Sequence, residues 1–457
     1  MNIYYLIILL VLLSFLLLSS RLSIGSNKEF FVLTKSQRTI TLSMSFFASG
    51  MGIWILTSPA EVGWYGLGPD VYGYALSAAT PFIILYFLGP KIASIIPDGT
   101  TLAEFIFIKY GRSAQILTSV VAIIYMSAFL VAEFASIGLF VETLFSISGL
   151  LVSILVGFTT LIYLFRSGFK ASLRTDIFQG IAIIIILLLL IVFWLIDSGP
   201  QELMKLAIDG GMTSSSSFSI QSALAVVLAV TAAEIFSQGY WQRTFSAEKE
   251  ASLKVACVFA GAGCFVTVLI LGFAGTVGAG MGIENPSLSF IGQLEGNSFI
   301  SYALLVLGIC LVTSSVDTLE NAIAATISID ILQNSKLQIS RIVTVAIVLS
   351  SIFLSLQVTN IFSVFLVADL LATALVVPAL IYLNKKSSSI ALIAPFVSGV
   401  LGALVYRFFF LDLDTNPGGL FIPTDSYGLA DLNTFLAALA ISSILSFLAN
   451  RKSPPNQ

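Results

Sequence analysis

The chain has 457 residues, of which 57% are hydrophobic and 10% charged, with a net charge of −3 and no histidine. Soluble domains carry about a quarter charged residues, so this chain cannot clothe a water-facing surface. The charge balance excludes a nucleic-acid footprint, and the lack of imidazole removes histidine metal sites and the usual general base. Cys257, Cys264 and Cys310 lie in apolar runs without paired spacing and read as small core residues.

Backbone groups find no water in a bilayer, so only helices and closed barrels span one. Apolar runs here reach the roughly 20 residues that a spanning helix needs; 181–196 and 255–282 contain no charge at all. In chain order, thirteen spans are predicted, at 3–20, 39–64, 72–96, 113–143, 148–165, 174–196, 222–241, 253–277, 298–332, 340–357, 360–384, 388–411 and 430–450. The first lacks a basic leader and a small-residue cleavage site, so it reads as a retained helix, not a signal peptide. With the amino end outside, 19 of the 21 Lys and Arg fall on the inner side, and only Lys205 and Arg407 fall outside. That asymmetry supports an odd span count, with the carboxyl end cytoplasmic. The outer loops are rich in Gly, Ser, Pro and Asp, and 451–457 reads as a short polar end.

The chain thereby divides into an extra helix and loop (1–38), a five-helix set (39–196), an external loop (197–221), a second five-helix set (222–384) and two further helices with a tail (385–457). Five is odd, so the second set enters from the opposite face. That permits the inverted repeat of many secondary transporters.

Several segments carry a family resemblance. TLAEFIFIKYGR (101–112) resembles a TLPEF…RYG stretch. RSGFKAS (166–172) resembles a GGL-x-A signature with Ser167 replacing one glycine. Thr175, Asp176 and Gln179 are similar to a TD-x-x-Q motif. TSSVD (313–317) with Ser328–Asp330 resembles an STAD…S…RD run, and 371–378 a small-residue stretch ending in proline. In this order and spacing they resemble the sodium:solute symporter family, over about 30–383. The resemblance implies an all-α polytopic membrane protein of leucine-transporter-type fold with two inverted five-helix repeats. It also implies Na⁺ as the coupling ion and an inner or plasma membrane location.

Sodium is a hard cation held by oxygens, which in transporters come from unwound backbone and hydroxyls. FASGMGIW (47–54), followed by Pro59, is a place to unwind or merely to kink. Thr313, Ser314 and Ser315 offer hydroxyls that either ligate or bond their own backbone. By resemblance, the carbonyls of Ala48, Met51 and Leu311 and the hydroxyls of Ser314 and Ser315 hold sodium. Asp176, with Thr318, matches a second sodium position in some relatives; the alternative is a carboxylate favouring its helix dipole and facing Arg174.

A charge inside the bilayer is costly unless paired, so Glu133, Glu234 and Asp369 in apolar runs are candidates to line a solute cavity, or to make inter-helix hydrogen bonds. Ser237, Gln238 and Tyr240 accompany Glu234, and Gly50 and Trp54 lie on the broken helix. Asp317 reads as structural, and Gln242-Arg243 with 246–251 as a cytoplasmic cap. Proline-type relatives carry an acid at the position of Gly50, which argues against proline here. GYWQR (239–243) is similar to the urea and polyamine branch. The expected function is a sodium-coupled symporter importing a small organic solute such as an amino acid, urea or a related nitrogen compound. The alternative is proton coupling through the intramembrane carboxylates. An enzyme is not expected.

Overall fold

The computed structural model describes residues 2–451 apart from 66–67, 295–296, 335, 358–360, 413, 415, 417 and 426–428; part of the expected span start at 360, Lys452 and most of the tail at 451–457 lie outside the described residues. The described residues form helices in every expected span. They are α1 (Ile3–Ser19), α2 (Thr39–Ser49), α3 (Ser58–Trp64), α4 (Gly68–Ile95), α5 (Leu102–Tyr110), α6 (Arg112–Phe145), α7 (Gly149–Ser167), α8 (Phe169–Ser198), α9 (Pro200–Asp209), α10 (Ser217–Glu234), α11 (Gln238–Ser246), α12 (Glu250–Gly280), α13 (Ser289–Gly292), α14 (Ser298–Ala325), α15 (Leu337–Ser355), α16 (Ile361–Leu380), α17 (Ile390–Phe410) and α18 (Leu432–Arg451). Eleven of the described helices are long and apolar enough to cross a membrane. α2 and the segment Ile53–Trp64 make a twelfth span bent by 65°. α1, at 17 residues, is slightly shorter than the others and supplies the thirteenth apolar helix.

Two spans are interrupted, of which the sequence reads only one as continuous. The first broken span was expected from its glycines. α2 stops at Ser49, and the chain restarts as a 3₁₀ turn at Ile53–Leu56 before α3. The second, expected as one helix over 222–241, stops at Glu234 and restarts at Gln238. The span expected over 298–332 ends in a π turn at Thr326–Ile331.

The core lies where the two broken spans meet α6, α8 and α14. From Leu304 to Ala325, α14 is buried almost without a break. The short α5 is closed by a capping box between Thr101 and Glu104, which satisfies the free amides at its start. Thr101 also donates to Asp330 at 2.8 Å, and Gln115 donates to the same carboxylate at 3.1 Å. At its other end Tyr110 donates to the Pro378 carbonyl at 2.7 Å and Lys109 to that of Ala379 at 3.4 Å. α5 thus ties the turn after α14 to the carboxyl-terminal end of α16.

α3 docks on α12 through bare backbone. A β-carbon on Gly275 would lie 1.9 Å from the Ala60 carbonyl oxygen, and one on Gly63 would lie 1.9 Å from that of Gly272. Small residues permit this close approach between membrane helices. Gly275→Val therefore pushes α3 off α12. The expected loss is about 1–3 kcal/mol, seen as a lower melting temperature of the detergent-purified protein, whereas Gly138→Ala, whose β-carbon would meet nothing nearer than 3.7 Å, costs less.

Candidate functional site

The break in α2 leaves backbone groups without helical partners, and other helices satisfy them. Ser315 on α14 donates to the Met51 carbonyl at 3.4 Å, and the Ile53 amide donates to Glu133 on α6 at 3.1 Å. Thr313 turns back to the Ile309 carbonyl of its own helix at 2.6 Å. Ser314 and Ser315 do not: Ser314 reaches across to Asp176 at 2.8 Å. The choice between backbone bonding and outward-facing hydroxyls is therefore resolved residue by residue. Ala48, Met51, Leu311, Ser314 and Ser315 are all buried, at 1% exposure or less. Of these, the Ser315 hydroxyl meets the Met51 carbonyl at the break, while the Ser314 hydroxyl is bonded to the Asp176 carboxylate.

Beside this group lies a buried ion pair. Arg243 on α11 and Asp176 on α8 are 2.8 Å apart with fully buried side chains. Ser45 donates to the same carboxylate, and Arg243 also donates to Ser45 (2.7 Å), Thr318 (2.8 Å) and the Gly239 carbonyl (2.9 Å). Four helices (α2, α8, α11 and α14) meet at this pair. Two expectations are corrected. Arg243 is not a cap in a loop but a core residue of a helix. Asp176 faces Arg243 and not Arg174, whose guanidinium lies over Phe178. The position between Asp176 and Thr318 is held by the guanidinium. Asp317, as expected, is structural: Tyr163 (2.6 Å), Ser172 (2.7 Å) and Thr175 (3.2 Å) donate to it.

A second group lies across α6. Tyr125 is hydrogen-bonded to Glu234, at the end of α10. Phe129 packs on Phe365 at 5.5 Å. This brings Asp369, one turn further along α16, within electrostatic reach of Glu234, Tyr125 and Tyr74. Trp54 packs edge-on against Tyr74 at 5.7 Å, and its indole N–H is buried without a partner. The Thr373 hydroxyl, one turn from Asp369, is also buried and unpartnered. Glu234 and Asp369 form no ion pair among the described residues. Pairwise interactions thus link Glu234 to Tyr125, Asp369 to Tyr74 and Tyr74 to Trp54.

Of the other expected solute contacts, Tyr240 is also within electrostatic reach of Glu234 and Tyr125. Gln238 is held by backbone: its oxygen accepts from Leu102 N at 3.1 Å and its amide donates to the Thr100 carbonyl at 2.6 Å. It splices α11 to α5, with its oxygen and one amide hydrogen engaged by backbone. Gly50 lies against Phe82 and Cys264, where a β-carbon would meet the Phe82 ring at 2.9 Å. Tyr240 is wedged against Phe82 (5.2 Å) and Phe46 (6.1 Å). Ser237 begins α11 without a side-chain cap bond. Glu133 sits at the break itself. Sequence reasoning missed Ser45, Tyr74, Tyr125 and Glu320; Glu320 is buried on α14 and accepts from Thr160 at 2.9 Å.

Breaking a buried pair strands a charge and costs about 3–5 kcal/mol, whereas replacing both partners is often close to neutral. Asp176→Asn and Arg243→Met are each expected to lower the melting temperature more than the double variant does. A double variant as damaged as the sum of the two singles would show that the groups act independently.

The chain is similar to known transporters in sequence and in fold. Residues 30–413 match the profile of the sodium:solute symporter family. The spermidine transporter DUR31 of Candida albicans is 30% identical over 411 residues, covering 84% of this chain and 75% of that protein. In fold, the chain is similar to a substrate-bound, outward-open Na⁺-coupled sialic acid symporter, with a TM-score of 0.79, 14% identity, and coverage of 100% of this chain and 99% of the other. It also resembles Mhp1, a nucleobase-cation-symport-1 family transporter in a closed conformation, with a TM-score of 0.57, 12% identity, and coverage of 93% and 94%.

Proposed function

The chain belongs to the sodium:solute symporter family, and from that membership we propose that it is a sodium-coupled importer of an organic cation carrying protonated amines, a polyamine above all. Membership makes it a multi-pass membrane transporter and not an enzyme. The observation that carries the choice of solute is the pair Glu234 and Asp369. Two carboxylates within electrostatic reach of one another in a low-dielectric site repel, and no described cation pairs with them. An ammonium group between them relieves that repulsion, while Tyr125, Tyr74 and Trp54 supply ring faces for a cation. Neutral urea would not. The likeness to a protein named as a spermidine transporter supports the same reading.

For the coupling ion, the carbonyls of Ala48, Met51 and Leu311 and the hydroxyls of Ser314 and Ser315 are the proposed sodium ligands. Sodium there bridges the break in α2 to α14. It holds the broken helix in the form that presents Trp54 to the solute, and so links the two affinities reciprocally. Because Arg243 already neutralises Asp176 and binds Thr318, the guanidinium stands where a second sodium would sit, and only the first site is proposed. The amino end lies outside and the carboxyl end in the cytoplasm of an inner or plasma membrane. Proton coupling is the second reading, and the acid pair is the feature that favours it, since two such carboxylates can share a proton.

The test is ligand-induced thermal stabilisation of purified protein. Sodium is expected to raise the melting temperature and to tighten binding of putrescine or spermidine. Ser314→Ala with Ser315→Ala should remove the sodium response. Glu234→Gln or Asp369→Asn should weaken amine binding about 30-fold or more and leave the sodium response in place. Amine binding that ignores sodium but strengthens as pH drops from 8 to 6 would favour the proton reading instead.

A further inference from the structure

Glu133 is not explained by a cation cage. It is 2% exposed, in the middle of α6, and carries no ion pair among the described residues. Its carboxylate lies flat on the break in α2. One oxygen accepts the Ile53 amide at 3.1 Å. The other rests on bare backbone: a β-carbon on Gly52 would lie 1.9 Å from Glu133 Oε1 and 2.7 Å from its carboxyl carbon. One residue earlier, the Met51 carbonyl points the other way, toward Ser315. The break thus presents acceptors on one side and a donor on the other, and Glu133 has taken the donor side.

Freed amides at a broken helix are the groups that meet the anionic part of a substrate in transporters of this architecture; the carboxylate of an amino acid is one such group. Here the protein supplies a carboxylate from a neighbouring helix. A substrate carboxylate would have to displace it or lie against it, and an isolated like-charge contact in a desolvated site is strongly disfavoured. Gly52 is what lets the built-in carboxylate sit this close; any larger side chain would lift it off the backbone.

We infer that Glu133 is a specificity-determining residue that fills the seat of a substrate carboxylate, so that the transporter admits amines and refuses the corresponding amino acids. This rests on the transporter reading above and adds a rule that the reading does not contain. Glu234 and Asp369 say what attracts the solute, and Glu133 says which solutes are turned away. Putrescine and ornithine form a matched pair for this rule, since ornithine is putrescine with one added carboxylate.

The test measures binding of putrescine, ornithine and alanine to purified wild type, Glu133→Ala and Glu133→Gln, with sodium-induced stabilisation as the check that each variant is folded. Wild type is expected to prefer putrescine over ornithine by about 100-fold, the size of a few kcal/mol of like-charge rejection. Glu133→Ala frees both the charge and the amide, and the preference should fall to about 10-fold or less, with alanine binding gained. Glu133→Gln removes the charge but keeps an acceptor on Ile53, so it should fall between the two. If Glu133→Ala does not fold, an unchanged ratio in Glu133→Gln overturns the inference and a reduced one upholds it. Equal loss of putrescine and ornithine in the variants would make Glu133 an amine ligand and overturn it, as would a wild type that takes both alike. If wild type binds neither diamine nor ornithine, the polyamine reading fails by itself; alanine binding gained by Glu133→Ala would still uphold the carboxylate seat, and its absence would reject it.

Discussion

In a bilayer, each unpaired backbone amide or carbonyl is costly because no water can replace its partner. The break between Ser49 and Ile53 is tolerable only because other helices reach it. Ser315 comes from α14 and Glu133 from α6, and the surrounding order follows from holding these two in place. α14 is fixed along its buried length, partly by Asp317 with its ring of hydroxyl donors. α6 is fixed by its packing on α16 and by α5 at its amino-terminal end. The polar groups that repair the break are the same groups from which a sodium site and a solute filter can be built.

The buried Asp176–Arg243 pair serves the same frame from the side. Isolated, either charge would be very costly inside the bundle; paired and fully hydrogen-bonded, they cross-link four helices around the hydroxyls of α14. Because Arg243 lies on α11, directly after the second break, any tilt of that short helix must strain or carry the pair. The two interrupted spans are therefore mechanically joined through Asp176. That is the kind of link by which an ion at one break can be felt by a solute at the other.

Much of this was legible in the sequence. Low charge and long apolar runs required a helical bundle, the Lys/Arg asymmetry gave the number of apolar helices, and Gly50, Gly52 and Pro59 marked the first break. The second break carried no such mark. Ile235-Phe236-Ser237 contains neither glycine nor proline, and only tertiary contacts interrupt the helix there. Arg243 was hidden for a related reason: an arginine after an apolar span counts as a cytoplasmic charge, and nothing local says that it turns inward to a carboxylate 67 residues away. Gln238 looked like a solute ligand because it is polar and near Glu234, whereas it binds the buried backbone of Thr100 and Leu102. Tyr125 was invisible among the apolar residues of α6. Positions set by one helix's own composition could be read; those set by what a neighbouring helix leaves unsatisfied could not.

The central claim is that a sodium gradient drives an amine through this bundle. Its most direct measurement is uptake of labelled spermidine into proteoliposomes at fixed internal and external pH. An inward sodium gradient would be compared with an equal potassium gradient, and then with a proton gradient in sodium-free buffer. The account predicts accumulation above equilibrium only with the sodium gradient. Accumulation driven by the proton gradient alone, or mere equilibration whatever the cation, would contradict it.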